Sequence, residues 1–166
     1  EHCNNISKKL NFNNLSFIYG DVIDYENKDE IDMVISLHAC NTATDIAILK
    51  ALGWNAKVFF AVPCCQKEII SQLGNEFLPF MLKHGIIKEK FSTLLTDSIR
   101  SEVLEAFGYK SDIVEFISEE NTPKNQLIRA YKTSTKLDIE KIEQIKKFTS
   151  SLNIKMFLLD EVDKLI

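Results

Sequence analysis

Residues 31–66 read IDMVISLHACNTATDIAILKALGWNAKVFFAVPCCQ, and this stretch decides the fold. It opens on a nearly continuous apolar run, IDMVISL (31–37), the pattern of a strand buried on both faces. NTATDIAILKALGW (41–54) then shows helical spacing. Ile46, Leu49 and Leu52 fall on one stripe, Asn41, Thr42 and Thr44 offer caps, and Gly53 ends the helix. AKVFFAV (56–62) is a second buried strand, stopped by Pro63. Strand, helix and strand in that order demand a right-handed crossover and parallel pairing. The two strands are then neighbours. Their carboxyl ends place His38, Ala39 and Cys40 beside Pro63, Cys64 and Cys65, where open α/β sheets bind ligands.

Upstream, residues 4–11 (NNISKKLN) read as the last turns of a helix. LSFIY (15–19) reads as a short strand ended by the turn Gly20-Asp21. Downstream, Gln66–His84 is helical and broken near Gly74 and Pro79. Residues 97–107 form an amphipathic helix ending at Gly108. SDIVEFI (111–117) and QLIRAY (126–131) are strands whose short connection, SEENTPKN, permits an antiparallel hairpin. Residues 138–152 make a charged amphipathic helix in which KIEQIKK (141–147) is a solvated face, and MFLL closes the chain with a small apolar cluster. The expectation is an α/β fold with a mostly parallel sheet and a C-terminal antiparallel hairpin, in one domain spanning 1–166.

A chain of 166 residues, 45% hydrophobic, is long enough for one real core. No apolar run spans a bilayer and no secretory pattern opens the chain, so the expectation is a soluble, cytoplasmic protein without membrane association. The net charge of −4 argues against a basic coat for nucleic acid, although a local basic patch would still serve an RNA substrate. Four cysteines, Cys3, Cys40, Cys64 and Cys65, are too few for a disulfide scaffold and read as reduced thiols.

Four chemistries compete for the strand ends. Asp21, after a strand, suits the exocyclic amine of an adenine, with Val22 against the ring; a plain turn former is the bland alternative. His38, Cys40, Cys64 and Cys65 could converge on zinc, but no C-x₂-C spacing is present and adjacent cysteines rarely share one ion, so no metal is expected. A nucleophilic cysteine with His38 as base lacks a partner signature, and buried inert thiols are simpler. His38 could also be only a hydrogen-bonded strand terminus, with Thr44 and Asp45 stabilising a helix start.

Taken together, GD after LSFIY, DMVISLHACNTATDIAI, AKVFFAVPCCQKE, FSTLLTDSIRSEVLEAFGY and the TPKN loop before LIRAYK resemble a class I S-adenosylmethionine (SAM)-dependent methyltransferase. More narrowly, they are similar to a family with HAC-x-TATD after the fourth strand and PCCQ after the fifth. The likeness runs over roughly residues 4–133. A more distant similarity is to a eukaryotic tRNA 2′-O-methyltransferase, which tilts the acceptor toward RNA.

The resemblance implies a Rossmann-like fold with cofactor contacts from Gly20, Asp21, Val22, Leu37, His38 and Ala39. It implies catalytic roles for His38 and Asp45, and acceptor contacts from Pro63, Cys64, Cys65, Gln66, Lys124 and Asn125. The family's glycine-rich loop and ribose-binding acid, on its first two strands, have no counterpart before Gly20. The chain therefore reads as the C-terminal portion of such an enzyme, lacking those strands. The expectations that follow are an exposed sheet edge, residues 1–25 displaced, unusually paired or docked on another copy, SAM binding too weak to give a titration by calorimetry, and no activity of the chain on its own. The alternatives are a non-catalytic binding or scaffold module that kept the sheet, and a zinc- or cysteine-dependent enzyme.

Overall fold

In the computed structural model the described residues are 1–166 except Lys28, 75–77, Glu119, Asn121, Pro123 and Lys124. The elements are α1 (His2–Lys9), β1 (Met33–Leu37), α2 (Thr42–Gly53), β2 (Val58–Val62), α3 (Lys67–Ile70), α4 (Pro79–Leu82), α5 (Gly85–Ala106), β3 (Tyr109–Glu115), β4 (Gln126–Lys132), α6 (Ile139–Ser151) and α7 (Phe157–Val162). The four strands form one sheet in the order β1-β2-β4-β3. β1 and β2 pair in parallel, with Met33 opposite Val58 and Leu37 opposite Val62. That is the arrangement the crossover helix requires.

β4 runs antiparallel to both β2 and β3. The hairpin expectation holds, but a mostly parallel sheet does not: one of the three described pairings is parallel. The reason is topological. α5 carries the chain past β2's neighbouring position to β3, which lies parallel to β2, and the hairpin then returns β4 into the gap between them.

One face of the sheet is well covered. Phe59, Ala61, Ile128 and Ala130 turn inward with no exposed surface, against Ile48 and Ala51 of α2 and Val103 and Leu104 of α5. Ile142 of α6 and Leu158 and Val162 of α7 complete this core. Tyr109 is tied in by its hydroxyl, which donates to the Ala56 carbonyl at 2.6 Å, and burial pushes its pKa up to about 12.

The opposite face of β1 is open. Met33, Ile35 and Leu37 are 46%, 56% and 62% exposed, so the expected two-sided burial of 31–37 is corrected. Val34 and Ser36, which alternate with them, face the helices. β1 is also an edge strand, as expected, and an unpaired edge invites a further strand.

Residues 15–19 are not a strand. Their backbone is held by side chains of α1 instead of by a ladder. The Asn4 amide donates to the Phe17 carbonyl at 2.8 Å and accepts from the Phe17 N–H at 2.7 Å. The Ser7 hydroxyl is bonded to the carbonyls of Phe12 and Leu15. Leu15, Phe17, Ile18 and Tyr19 are all exposed. Apolar, β-prone residues form a strand only when a neighbour supplies the other half of each hydrogen bond.

The long helix also differs from expectation. It begins at Gly85, not near 97, and runs 22 residues. Phe91, Leu95 and Ile99 extend the same buried stripe that Val103 continues, so the apolar period had already begun before the TDSIR segment. No helix among the described residues is long and apolar enough to cross a membrane.

Candidate functional site at the strand ends

At the carboxyl end of β1 the chain turns sharply. His38 has φ 55° and Asn41 φ 52°, positive values that cost a non-glycine residue about 1–3 kcal/mol. Cross-strand bonds hold this conformation. The His38 N–H donates to the Val62 carbonyl at 3.2 Å, and the Asn41 N–H donates to the Cys65 carbonyl at 3.0 Å. The Asn41 side chain does not cap α2, as the sequence led us to expect. Its Oδ1 accepts from the Glu68 N–H at 3.0 Å, while Thr44 Oγ1 bonds the Ala39 carbonyl at 2.8 Å. The two strand-end loops, 38–41 and 63–66, are thus stitched together, and they meet on one side of the sheet.

Three thiols converge there. Cys40 Sγ lies 3.0 Å from Cys64 Sγ, and Cys64 Sγ lies 3.9 Å from Cys65 Sγ. Cys40 is exposed and the other two are half-buried. His38 is exposed on the rim.

Behind the loops lies a buried charged network. Arg100 of α5 donates from Nε to Asp45 Oδ1 at 2.7 Å, from Nη1 to Asp97 Oδ1 at 2.9 Å and from Nη2 to the Asn41 carbonyl at 2.9 Å. Asp97 Oδ2 accepts from Gln66 Nε2 at 2.9 Å, and the Ser92 hydroxyl bonds the Gln66 carbonyl. One guanidinium therefore braces both loops. Burial pushes the Asp97 carboxyl up, with Arg100 opposing the shift. The neighbouring carboxylates Asp45 and Asp97 hold the Arg100 pKa above its ordinary value despite burial. Asp45 is fully buried behind the loop, and its Oδ2 has no partner among the described residues.

Sequence reasoning missed Asp97 and Arg100. The available signal was D-x-x-R in a helix, which puts both on one face, but nothing in the sequence says that this face meets Asp45.

Glu68 is a third carboxylate near these loops, partly buried, accepting from the Phe157 N–H at 2.6 Å while its Oε2 is buried without a partner among the described residues. Burial raises its pKa from the ordinary 4.5. The folded state then holds this proton more tightly than the unfolded chain does. Stability falls as pH rises from about 4.5 through the raised value. Glu68→Gln keeps the acceptor for Phe157 and removes the titration. Urea unfolding across that window is expected to show a flatter pH dependence in the variant, and an unchanged slope would contradict the assignment.

The other expected site residues divide. Gln66 and Asn125 line a cleft of about 400 Å³ together with Pro63, Lys90, Thr93 and Gln126. Asn125 is buried, and its amide donates to the Ile117 carbonyl, closing the β3–β4 hairpin. Lys124 lies outside the described residues. The hydrogen bonds of Gly20–Val22 are local: Asp21 Oδ1 accepts from the Ile23 N–H at 3.1 Å, starting a short 3-10 turn at Val22–Asp24. A larger groove between α5 and α6, about 740 Å³, shares no residue with the strand ends.

Taken singly, the residues at these positions have chemistry that would fit a SAM-like ligand. Asp21 offers a carboxylate to an amine, and the exposed side chains of Val22 and Leu37 offer apolar surface to a ring and a thioether-like chain.

Residues 1–72 match the family model of a methyltransferase domain. That match bears out the methyltransferase resemblance and supports methyl transfer as the general activity. It spans Gly20–Val22, Leu37–Asp45 and Pro63–Gln66, and ends before α5. No curated protein and no solved structure matches the chain. The mixed α/β architecture with its four-stranded sheet is consistent with a methyltransferase-like fold.

Proposed function

We propose that the strand-end crevice is the methyl-transfer site of a SAM-dependent, Rossmann-like methyltransferase acting on an RNA hydroxyl. The observation that carries this reading is the convergence of loops 38–41 and 63–66, both inside the matched segment and held by the bonds from His38 to Val62 and from Asn41 to Cys65. The RNA acceptor is supported by the likeness of HAC-x-TATD and the double cysteine to a tRNA 2′-O-methyltransferase. Gly20, Asp21 and Val22 would hold the adenine end, and Leu37, His38 and Ala39 the methionine end. SAM, when bound, supplies a methyl group on a sulfonium, an electrophile that needs only a well-placed acceptor.

The residues of this chain then do three things. The Cys64, Cys65 and Gln66 loop, with Asn125 across the cleft from Gln66, forms the acceptor wall. His38, exposed on the rim, accepts the proton of the acceptor hydroxyl. Asp45 acts from behind: buried against Arg100, it fixes the loop that carries His38. Positioning of this kind supplies much of the rate when the leaving group is already good.

In an enzyme that carries the complete cofactor site, His38→Ala is expected to lower methyl transfer about a hundredfold, the scale of a general base, with stability little changed. The assay is transfer of a labelled methyl group from SAM to total RNA, with total protein as the parallel acceptor. Unchanged turnover would remove His38 from the chemistry, and label entering protein alone would remove the RNA acceptor.

A further inference from the structure

We propose that Cys40 and Cys64 are a reversible redox pair that closes to a disulfide across the two strand-end loops. This rests on the thiol geometry and goes beyond the methyl-transfer reading.

The sulfur atoms are 3.0 Å apart. Thiolates sharing a zinc ion, with Zn–S of about 2.3 Å, sit roughly 3.8 Å apart in tetrahedral geometry, so this pair is too close to be spread around a metal. A disulfide bond is about 2.05 Å long, so the sulfurs have roughly 1 Å left to close. All three thiols lie within 4.8 Å of one another. Within the cluster Cys65 is the poorer partner: its sulfur is 3.9 Å from that of Cys64, and adjacent cysteines form only strained rings. The backbone under the pair is already clamped by the bond from Asn41 to Cys65 and the bond from Glu68 to Asn41, so closure orders little new chain.

The exposed Cys40 is the sulfur a peroxide reaches first. Its thiolate attacks one peroxide oxygen; the S–O bond forms, the O–O bond breaks, and water leaves after taking up a proton. The Cys64 sulfur then attacks the Cys40 sulfenic acid. The S–S bond forms, the S–O bond breaks, and hydroxide leaves as water with the Cys64 proton. Two thiols are oxidised and one peroxide is reduced to two waters. A small dithiol reverses the bond by exchange. Closure straps loop 38–41 to loop 63–66 over the crevice. Such a bond in a reducing compartment is transient and responsive, not structural.

The test treats the full chain with hydrogen peroxide in native buffer, blocks remaining thiols with N-ethylmaleimide, and maps the digest by mass spectrometry. A Cys40–Cys64 cross-linked peptide is expected, with labelling of both residues reduced at least about tenfold relative to Cys3 and restored by dithiothreitol. Cys65→Ser is expected to keep the cross-link, and Cys40→Ser to abolish it. Full labelling of Cys40 and Cys64 after peroxide would overturn the proposal, as would a dominant Cys64–Cys65 link or an equal yield from urea-unfolded chain. A purified chain carrying stoichiometric zinc that shields all three thiols would also overturn it, in favour of metal binding.

Discussion

Arg100→Met is expected to destabilise the fold by about 3–5 kcal/mol, the usual cost of removing one partner from a buried ion pair. The side chain is 1% exposed and touches Asp45, Asp97 and the Asn41 carbonyl. Methionine fills much of the volume but leaves two buried carboxylates facing each other without a cation. Asp97 already sits above its ordinary value because of burial, and Arg100 is what restrains that shift. Without the guanidinium its carboxyl rises further, and protonation becomes the means of relief. The deficit is therefore smallest in acid and grows as pH rises through the carboxyl range. Urea unfolding at several pH values reads both effects. Arg100→Lys is expected to recover little, because one ammonium cannot reach two carboxylates and a carbonyl in the fork geometry of a guanidinium. A deficit under about 1 kcal/mol at neutral pH would show that the network does not brace the loops.

Gly108→Ala is expected to cost about 3 kcal/mol or more, by a different route. Gly108 has φ 83°, where an L side chain is strained, at the turn from α5 into β3. A Cβ added there would lie 2.2 Å from the Ser134 carbonyl oxygen. That oxygen is backbone and cannot swing aside, and the N–H groups of Thr133 and Ser134 both donate to the Gly108 carbonyl at 2.9 Å. The segment after β4 would have to retreat and lose those bonds, which adds to the backbone strain. Thermal unfolding measures the loss. Gly85→Ala is the control, since nothing lies within 4 Å of its added Cβ, and it is expected to be neutral or slightly stabilising.

The strand–helix–strand unit of 31–62 was legible because its information is local. Buried runs of IDMVISL and AKVFFAV type, separated by a 3.6-residue period, leave one right-handed solution, and β1 and β2 came out parallel with their ends together. The hairpin was legible from the same kind of pattern, with boundaries moved by about two residues. The candidate site was legible at its rim, where His38, Cys40, Cys64 and Cys65 are the polar and sulfur groups that end apolar runs.

The rest depended on partners that the linear sequence does not display. LSFIY has the composition of a strand, yet pairing is a property of two segments, and the side chains of Asn4 and Ser7 satisfied its backbone first. The length of α5 followed from packing of Phe91, Leu95 and Ile99 on the core, which overrode a weak start at Gly85. Asp45 reads alike as a catalytic base or as a helix-opening residue, and nothing beside it in the chain shows that Arg100, fifty-five positions away, meets it.

By itself, then, the sequence determined the periodicity of each segment, the parallel pairing of 33–37 with 58–62 and the residue types at their ends. Only the tertiary structure decided that one face of β1 stays bare, that 15–19 remains outside the sheet, and that a buried arginine joins the two loops. The physical reason is range: side-chain period and turn chemistry act over a few residues, whereas burial, strand pairing and charge compensation are settled by neighbours that only folding brings within reach.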